Sequence, residues 1–84
     1  MAKIPPITNR IRALRESQGG MSQAALAEAI GVTRQTVIAI ELGKYSPSLE
    51  SAFRIARVFG TDIEAVFGWE GPPRADSLSL DELI

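Results

Sequence analysis

Arg34, Gln35 and Ile38 are the side chains of this 84-residue chain whose types and spacing could do chemistry. An arginine offers a planar fork of donors that matches guanine O6 and N7. A glutamine amide makes a similar two-point pair with adenine N6 and N7, and a branched apolar group can lie against a thymine methyl. Held on one face of a helix, the three would read base edges. The bland alternative is a solvated helix face with a single exposed apolar residue, which needs no explanation. The three residues alone leave both readings open.

Composition removes most other chemistry. The chain has neither Cys nor His. Disulfides, thiolate metal sites, the commonest general base and the commonest zinc ligand are therefore all missing. Ser and Thr sit mostly where helices should start, and the carboxylates are scattered without a visible pair. No GxxxxGK(S/T) phosphate loop occurs, and Gly19-Gly20 reads as a helix stop. The expectation is a non-enzyme with no metal and no cofactor. The apolar runs fall far short of the roughly 20 residues a membrane span needs. No basic-then-apolar leader opens the chain, so the expected location is cytoplasmic.

Charge divides unevenly. The net charge is −1 overall. Residues 1–67 carry +2 and residues 68–84 carry −3. A basic module with an acidic tail fits a nucleic-acid partner better than the total suggests, although +2 gives only weak non-specific attraction.

Positioning Arg34 and Gln35 requires short helices joined by tight turns. Ser22 is a good N-cap, and the Ala-rich run after it favours a helix over Gln23–Ile30. Gly31 ends it in the left-handed conformation that lacks a Cβ penalty. Thr33 caps a second helix over Arg34–Leu42. At about 100° per residue, Thr33, Thr36, Val37 and Ile40 share a packing face. Arg34, Gln35, Ile38 and Leu42 fall opposite, with Ala39 at the edge. Two such short helices cannot stand alone. A first helix, capped by Thr8 or Asn9 and running to about Gln18, is expected to supply Ile11 and Leu14. A fourth, capped by Ser48 and spanning Leu49–Phe59, turns Leu49, Ala52, Phe53, Ile55, Ala56 and Phe59 mostly inward. Thr61 and Glu64 form a capping box that starts a fifth helix at Asp62, with Ile63, Val66 and Phe67 apolar. Pro5-Pro6 keeps the start of the chain extended.

The run MSQAALAEAIGVTRQTVIAIELGKYSPSLESAFRIARVFG resembles the Cro/cI-type (XRE-like) helix-turn-helix regulators of bacteria, phages and plasmids. The matching residues are Gln23, Leu26-Ala27, Ile30-Gly31-Val32-Thr33, Val37, Ile40-Glu41, Gly43-Lys44, Ser46-Pro47-Ser48-Leu49, Ile55-Ala56 and Phe59-Gly60. The resemblance implies an all-α, compact five-helix bundle, a lambda-repressor-like DNA-binding domain with a short extended or flexible C-terminal tail. The expected organisation is an arm over 1–8, the domain over 9–68 and a tail over 69–84.

The resemblance also assigns roles. Thr33, Arg34, Gln35, Ile38 and Ala39 fall at base-reading positions of the second helix of the motif. Gln23 matches a residue that bonds phosphate and braces that helix. Lys44, Tyr45 and Ser46 match a loop that clamps the DNA backbone. Arg15 and Glu41 match a partly buried salt bridge. Leu42 departs from the family's polar residue and is expected to cover the loop. Val66, Phe67 and Trp69 correspond to a short strand that helps form a dimer, although Trp69 could equally fold onto its own core. The implied function is a sequence-specific DNA-binding transcriptional regulator, a repressor that binds an inverted repeat in double-stranded DNA as a homodimer. The alternative is an antitoxin-like or adaptor protein whose tail holds a partner protein.

Overall fold

Ser22, Thr33 and Ser48 each begin a helix in the same way. Each has an extended backbone, and each hydroxyl accepts the N–H three residues on, from Ala25, Thr36 and Ser51. This satisfies one of the donors that a helix start otherwise leaves unpaired. The computed structural model describes residues 6–70. In chain order it contains β1 (Ile7–Asn9), α1 (Ile11–Ser17), α2 (Gln23–Ile30), α3 (Arg34–Glu41), α4 (Leu49–Val58), α5 (Ile63–Val66) and β2 (Phe67–Trp69).

The core gathers one stripe from each helix. Ile11, Leu26, Ala27, Ile30, Val37, Ile40, Ile55, Ala56, Phe59 and Val66 are buried together, with Leu14, Met21, Val32, Val58, Ile63 and Phe67 packed partly against them. Gly31 turns the chain between α2 and α3 at φ 78°. It allows the N–H of Val32 to reach back to the Ala27 carbonyl at 3.0 Å. Only a residue without Cβ enters that conformation at no cost.

The fold is mainly helical, but not purely so. β1 and β2 form a two-stranded antiparallel ribbon that pairs Ile7 with Trp69, Thr8 with Gly68 and Asn9 with Phe67. The strands straddle both expected domain boundaries, because the pairing that defines them joins residues from opposite ends of the described chain. Tail residues 71–84 and arm residues 1–5 lie outside the described residues.

Four local expectations are corrected. Leu49 and Phe53 do not face inward but are 72% and 53% exposed. The buried stripe of α4 centres on Ala52, Ile55, Ala56 and Phe59, and at 3.6 residues per turn Leu49 and Phe53 fall on its flank. Thr33 is exposed rather than packed, its hydroxyl turned to the Thr36 N–H and Oγ1. Helix α1 takes Arg10 as N-cap, and Asn9 serves it from one residue earlier by accepting the Ile11 N–H at 3.1 Å. The Thr61 capping box does not form. Asp62 is the N-cap of α5 and makes no side-chain cap bond, while the Thr61 N–H closes α4 on the Ala56 carbonyl at 2.9 Å.

Candidate nucleic-acid interface

Helix α3 carries its exposed residues at its start. Thr33, Arg34 and Gln35 are exposed, Ile38 and Ala39 are half-buried, and Val37 and Ile40 lie in the core. The polar face is therefore presented by a helix whose opposite face is fixed. Arg34, Ile38 and Leu42 line an open cleft shared with Ser22, Gln23 and Ala24 at the start of α2 and with Arg12 and Arg15 of α1. Gln35 and Ala39 do not line that cleft. Leu42 does not cover the loop, as its side of the helix is open and 63% of it is exposed.

Beneath this face lies a charged brace. The Arg15 Nε donates to Glu41 Oε2 at 2.7 Å and its Nη2 to Oε1 at 3.1 Å. Its remaining nitrogen, Nη1, donates to the Met21 carbonyl at 2.8 Å. The Gln23 amide completes the group by donating to Glu41 Oε1 at 3.3 Å. One carboxylate at the end of α3 is thus held by α1 and by the first residue of α2. The two side chains of the pair retain 14% and 8% of their exposure. Hydrogen bonding to Glu41 raises the pKa of Arg15 above its already high ordinary value, against an opposing effect of burial. The guanidinium remains charged throughout the neutral range.

The loop after α3 holds Lys44 and Tyr45 exposed and Ser46 half-buried. The Lys44 N–H is tied to the Ala39 carbonyl at 3.0 Å, which sets the loop close to the C-terminal end of α3. Arg12 engages Glu16 across one turn at 3.4 Å, and both side chains are exposed, so this pair adds little to stability.

Residues 11–66 match the family model described as Helix-turn-helix. The chain belongs to this family. Helix-turn-helix domains of this kind are a DNA-binding, non-enzymatic class. In the present member α2 and α3 are the two helices of the motif, and α3 is the one with the exposed polar face. Named relatives agree. An uncharacterized HTH-type transcriptional regulator of Methanocaldococcus jannaschii is 56% identical over 50 residues, covering 60% of this chain and 76% of its own. One from Archaeoglobus fulgidus is 50% identical over 58 residues, covering 69% and 81%. The uncharacterized HTH-type transcriptional regulator YgzD of Bacillus subtilis is 48% identical over 62 residues, covering 74% of this chain and 92% of its own. Among the described residues no helix is long and apolar enough to cross a membrane.

The expected dimer residues separate in the structure. Val66 is 1% exposed and belongs to the core, so its side chain offers nothing to a partner. Phe67 is half-buried and Trp69 exposed. Leu49 and Phe53 were missed as surface residues, and they add to the exposed apolar area. Ile7, Pro47, Leu49, Ala52, Ile63, Phe67 and Gly68 line one apolar groove between the ribbon and the helices α4 and α5. A second missed residue is Asn9, whose Nδ2 donates to the Ile40 carbonyl at 2.8 Å. Nothing in the local pattern around Asn9 points to a partner 31 positions away.

Proposed function

We propose that this helix-turn-helix protein is a sequence-specific transcriptional regulator, a repressor that binds double-stranded DNA as a homodimer and acts in the cytoplasm. The observation that carries the reading is the exposed start of α3, with Arg34 and Gln35 free to meet bases while Glu41 at the other end is locked by Arg15 and Gln23. A reading helix needs both properties. Its outer side chains must be accessible, and its axis must be fixed so that a shift of one base is costly. Thr33, Ile38 and Ala39 complete the base-reading set. Gln23, Lys44, Tyr45 and Ser46 flank it at positions suited to phosphate.

One such helix spans only a few base pairs, so two copies on an inverted repeat are required for a useful site. Their reading helices would enter successive major grooves about 34 Å apart. The dimer face runs over Leu49, Phe53, Phe67 and Trp69 and takes in the apolar groove, which water otherwise wets unfavourably. Repression then follows from occupancy, because a dimer seated across a promoter excludes other proteins from the same grooves.

The test is binding to the protein's own upstream DNA against a scrambled fragment, at two salt concentrations, with an Arg34→Ala, Gln35→Ala variant alongside. Selective binding that the double variant loses supports the reading. Binding that is selective in neither protein and varies only with salt overturns it.

A further inference from the structure

Asn9 touches three elements, one through its backbone and two through its side-chain amide. Its backbone lies in β1, where it pairs with Phe67 of β2. Its Oδ1 accepts the Ile11 N–H at the start of α1. Its Nδ2 donates to the Ile40 carbonyl in the last turn of α3. That carbonyl also receives the Gly43 N–H at 3.0 Å, so Asn9 adds a second donor at the point where the reading helix ends. The neighbouring Arg10 N–H donates to the Val66 carbonyl at 2.8 Å, fastening the same corner to the end of α5. The ribbon therefore has a direct polar link to α3.

We propose that Asn9 is a positioning residue that transmits the geometry of the dimer face to the reading helix, and so sets the half-site spacing the protein accepts. The inference rests on the dimeric regulator reading above. The ribbon carries Phe67 and Trp69 of the dimer face, and the brace of Arg15, Gln23 and Glu41 holds α3 only to its own helical neighbours. The Asn9–Ile40 bond ties α3 to the part of the molecule that would meet a second copy. A hydrogen bond is short-range and directional, and is largely lost by a shift of less than an ångström. A half-site moved by one base pair is displaced by about 3.4 Å along the helix axis and also rotated. A rigid link resists that displacement, and a loosened one accommodates it.

The experiment selects a preferred operator from a random pool with the full chain. It then measures binding to that operator and to versions with the half-sites one base pair closer or farther apart. Asn9→Asp keeps an acceptor for the Ile11 N–H but replaces the donor to Ile40 with an oxygen. Asn9→Ser, too short to reach Ile40 while still able to accept from Ile11, serves where the Asp variant does not fold. Dimer mass by sedimentation, melting temperature and affinity for scrambled DNA are recorded in parallel. The expected result is a variant that remains folded and dimeric and binds scrambled DNA as before, with its preference for the selected spacing reduced about tenfold, within the usual range of coupling between sites. A variant with a lower melting temperature and an unchanged spacing preference overturns the proposal and leaves Asn9 a structural residue. A wild-type protein with no preferred spacing overturns the dimeric reading and this proposal with it.

Discussion

The guanidinium of Arg15 in α1 grips both carboxylate oxygens of Glu41 at the end of α3, at 2.7 and 3.1 Å. The pair joins residues 26 positions apart in sequence, and it is nearly buried. Two-point pairing of this kind fixes an angle as well as a distance. The orientation of α3 thus depends on a residue that lies outside the helix-turn-helix pair itself.

Breaking the pair on one side should therefore be costly. Arg15→Ala leaves the Glu41 carboxylate, which is 8% exposed, without its cation and with only the Gln23 amide as donor. Loss of one partner of a fully buried pair costs about 3–5 kcal/mol, and the residual exposure of Arg15 places this pair at or below that range. Chemical denaturation should show a large fall in midpoint with little change in slope. Replacing both residues with apolar side chains of similar volume should restore much of the loss. A pKa raised on folding adds stability that is complete below the unfolded value and fades only as pH climbs through the folded one. For Arg15, whose pKa is raised, both lie far above neutrality, so no loss on its account is expected between about pH 6 and 9.

Base reading and phosphate contact should separate by mutation. Arg34→Ala should relax preference at one base position and cost about 1–3 kcal/mol on the selected site. Lys44→Ala should weaken all sequences alike and reduce the salt dependence by roughly one phosphate contact. Binding isotherms at several salt concentrations on sites substituted base by base would distinguish the two. A Lys44→Ala loss confined to one sequence would remove it from the phosphate set.

The exposed apolar flank of α4 invites a charge. Phe53→Glu lies outside the core, so its melting temperature as a monomer should change little. Sedimentation equilibrium should show it shifted to the monomer relative to wild type, with selective DNA binding falling alongside. A Phe53→Glu protein that remains dimeric would place the interface elsewhere.

Gly68 faces Thr8 across the ribbon, and a Cβ on it would lie 2.7 Å from Thr8 Oγ1. That distance is inside van der Waals contact, so Gly68→Ala should open or distort the ribbon. Because the obstruction is the Thr8 hydroxyl, Thr8→Ala in the same chain should relieve it. Amide exchange at the ribbon would report both, with fast exchange in the single variant and slower exchange in the double one.

What could be read in advance was local. Ser22, Thr33 and Ser48 announce helix starts because a cap needs only its own hydroxyl and a backbone three residues on. Gly31 announces the turn for a comparable reason. Leu49 and Phe53 could not be oriented from spacing, since on a helix they neighbour the true stripe of Ala52, Ile55, Ala56 and Phe59 and fit a slightly rotated one equally well. The resemblance pointed to a short strand near Val66–Trp69, and β2 lies at Phe67–Trp69, but its pairing with β1 was hidden because three-residue strands have almost no pattern and the partners lie at opposite ends of the described chain. Pairing at such a distance is decided by the finished core. The same is true of Asn9, which reads locally as a helix cap and is also the link to Ile40.

The ribbon joins the most distant parts of the described chain. Helices α2 and α3 are closed by bonds between near neighbours, whereas pairing Ile7–Asn9 with Phe67–Trp69 closes a loop over nearly the whole described chain. The entropy of closing a loop grows with its length, and chains rich in distant contacts fold slowly for that reason. Helix α3 needs no such closure, because its cap bond comes from within its own first turn. If the pairing opened, α2 and α3 would keep the core contacts that hold them, while Phe67 and Trp69 would lose their alignment with Asn9 and Ile7. In the proposed dimer, the surface offered to a second copy would therefore include the part assembled from the most distant segments of the described chain.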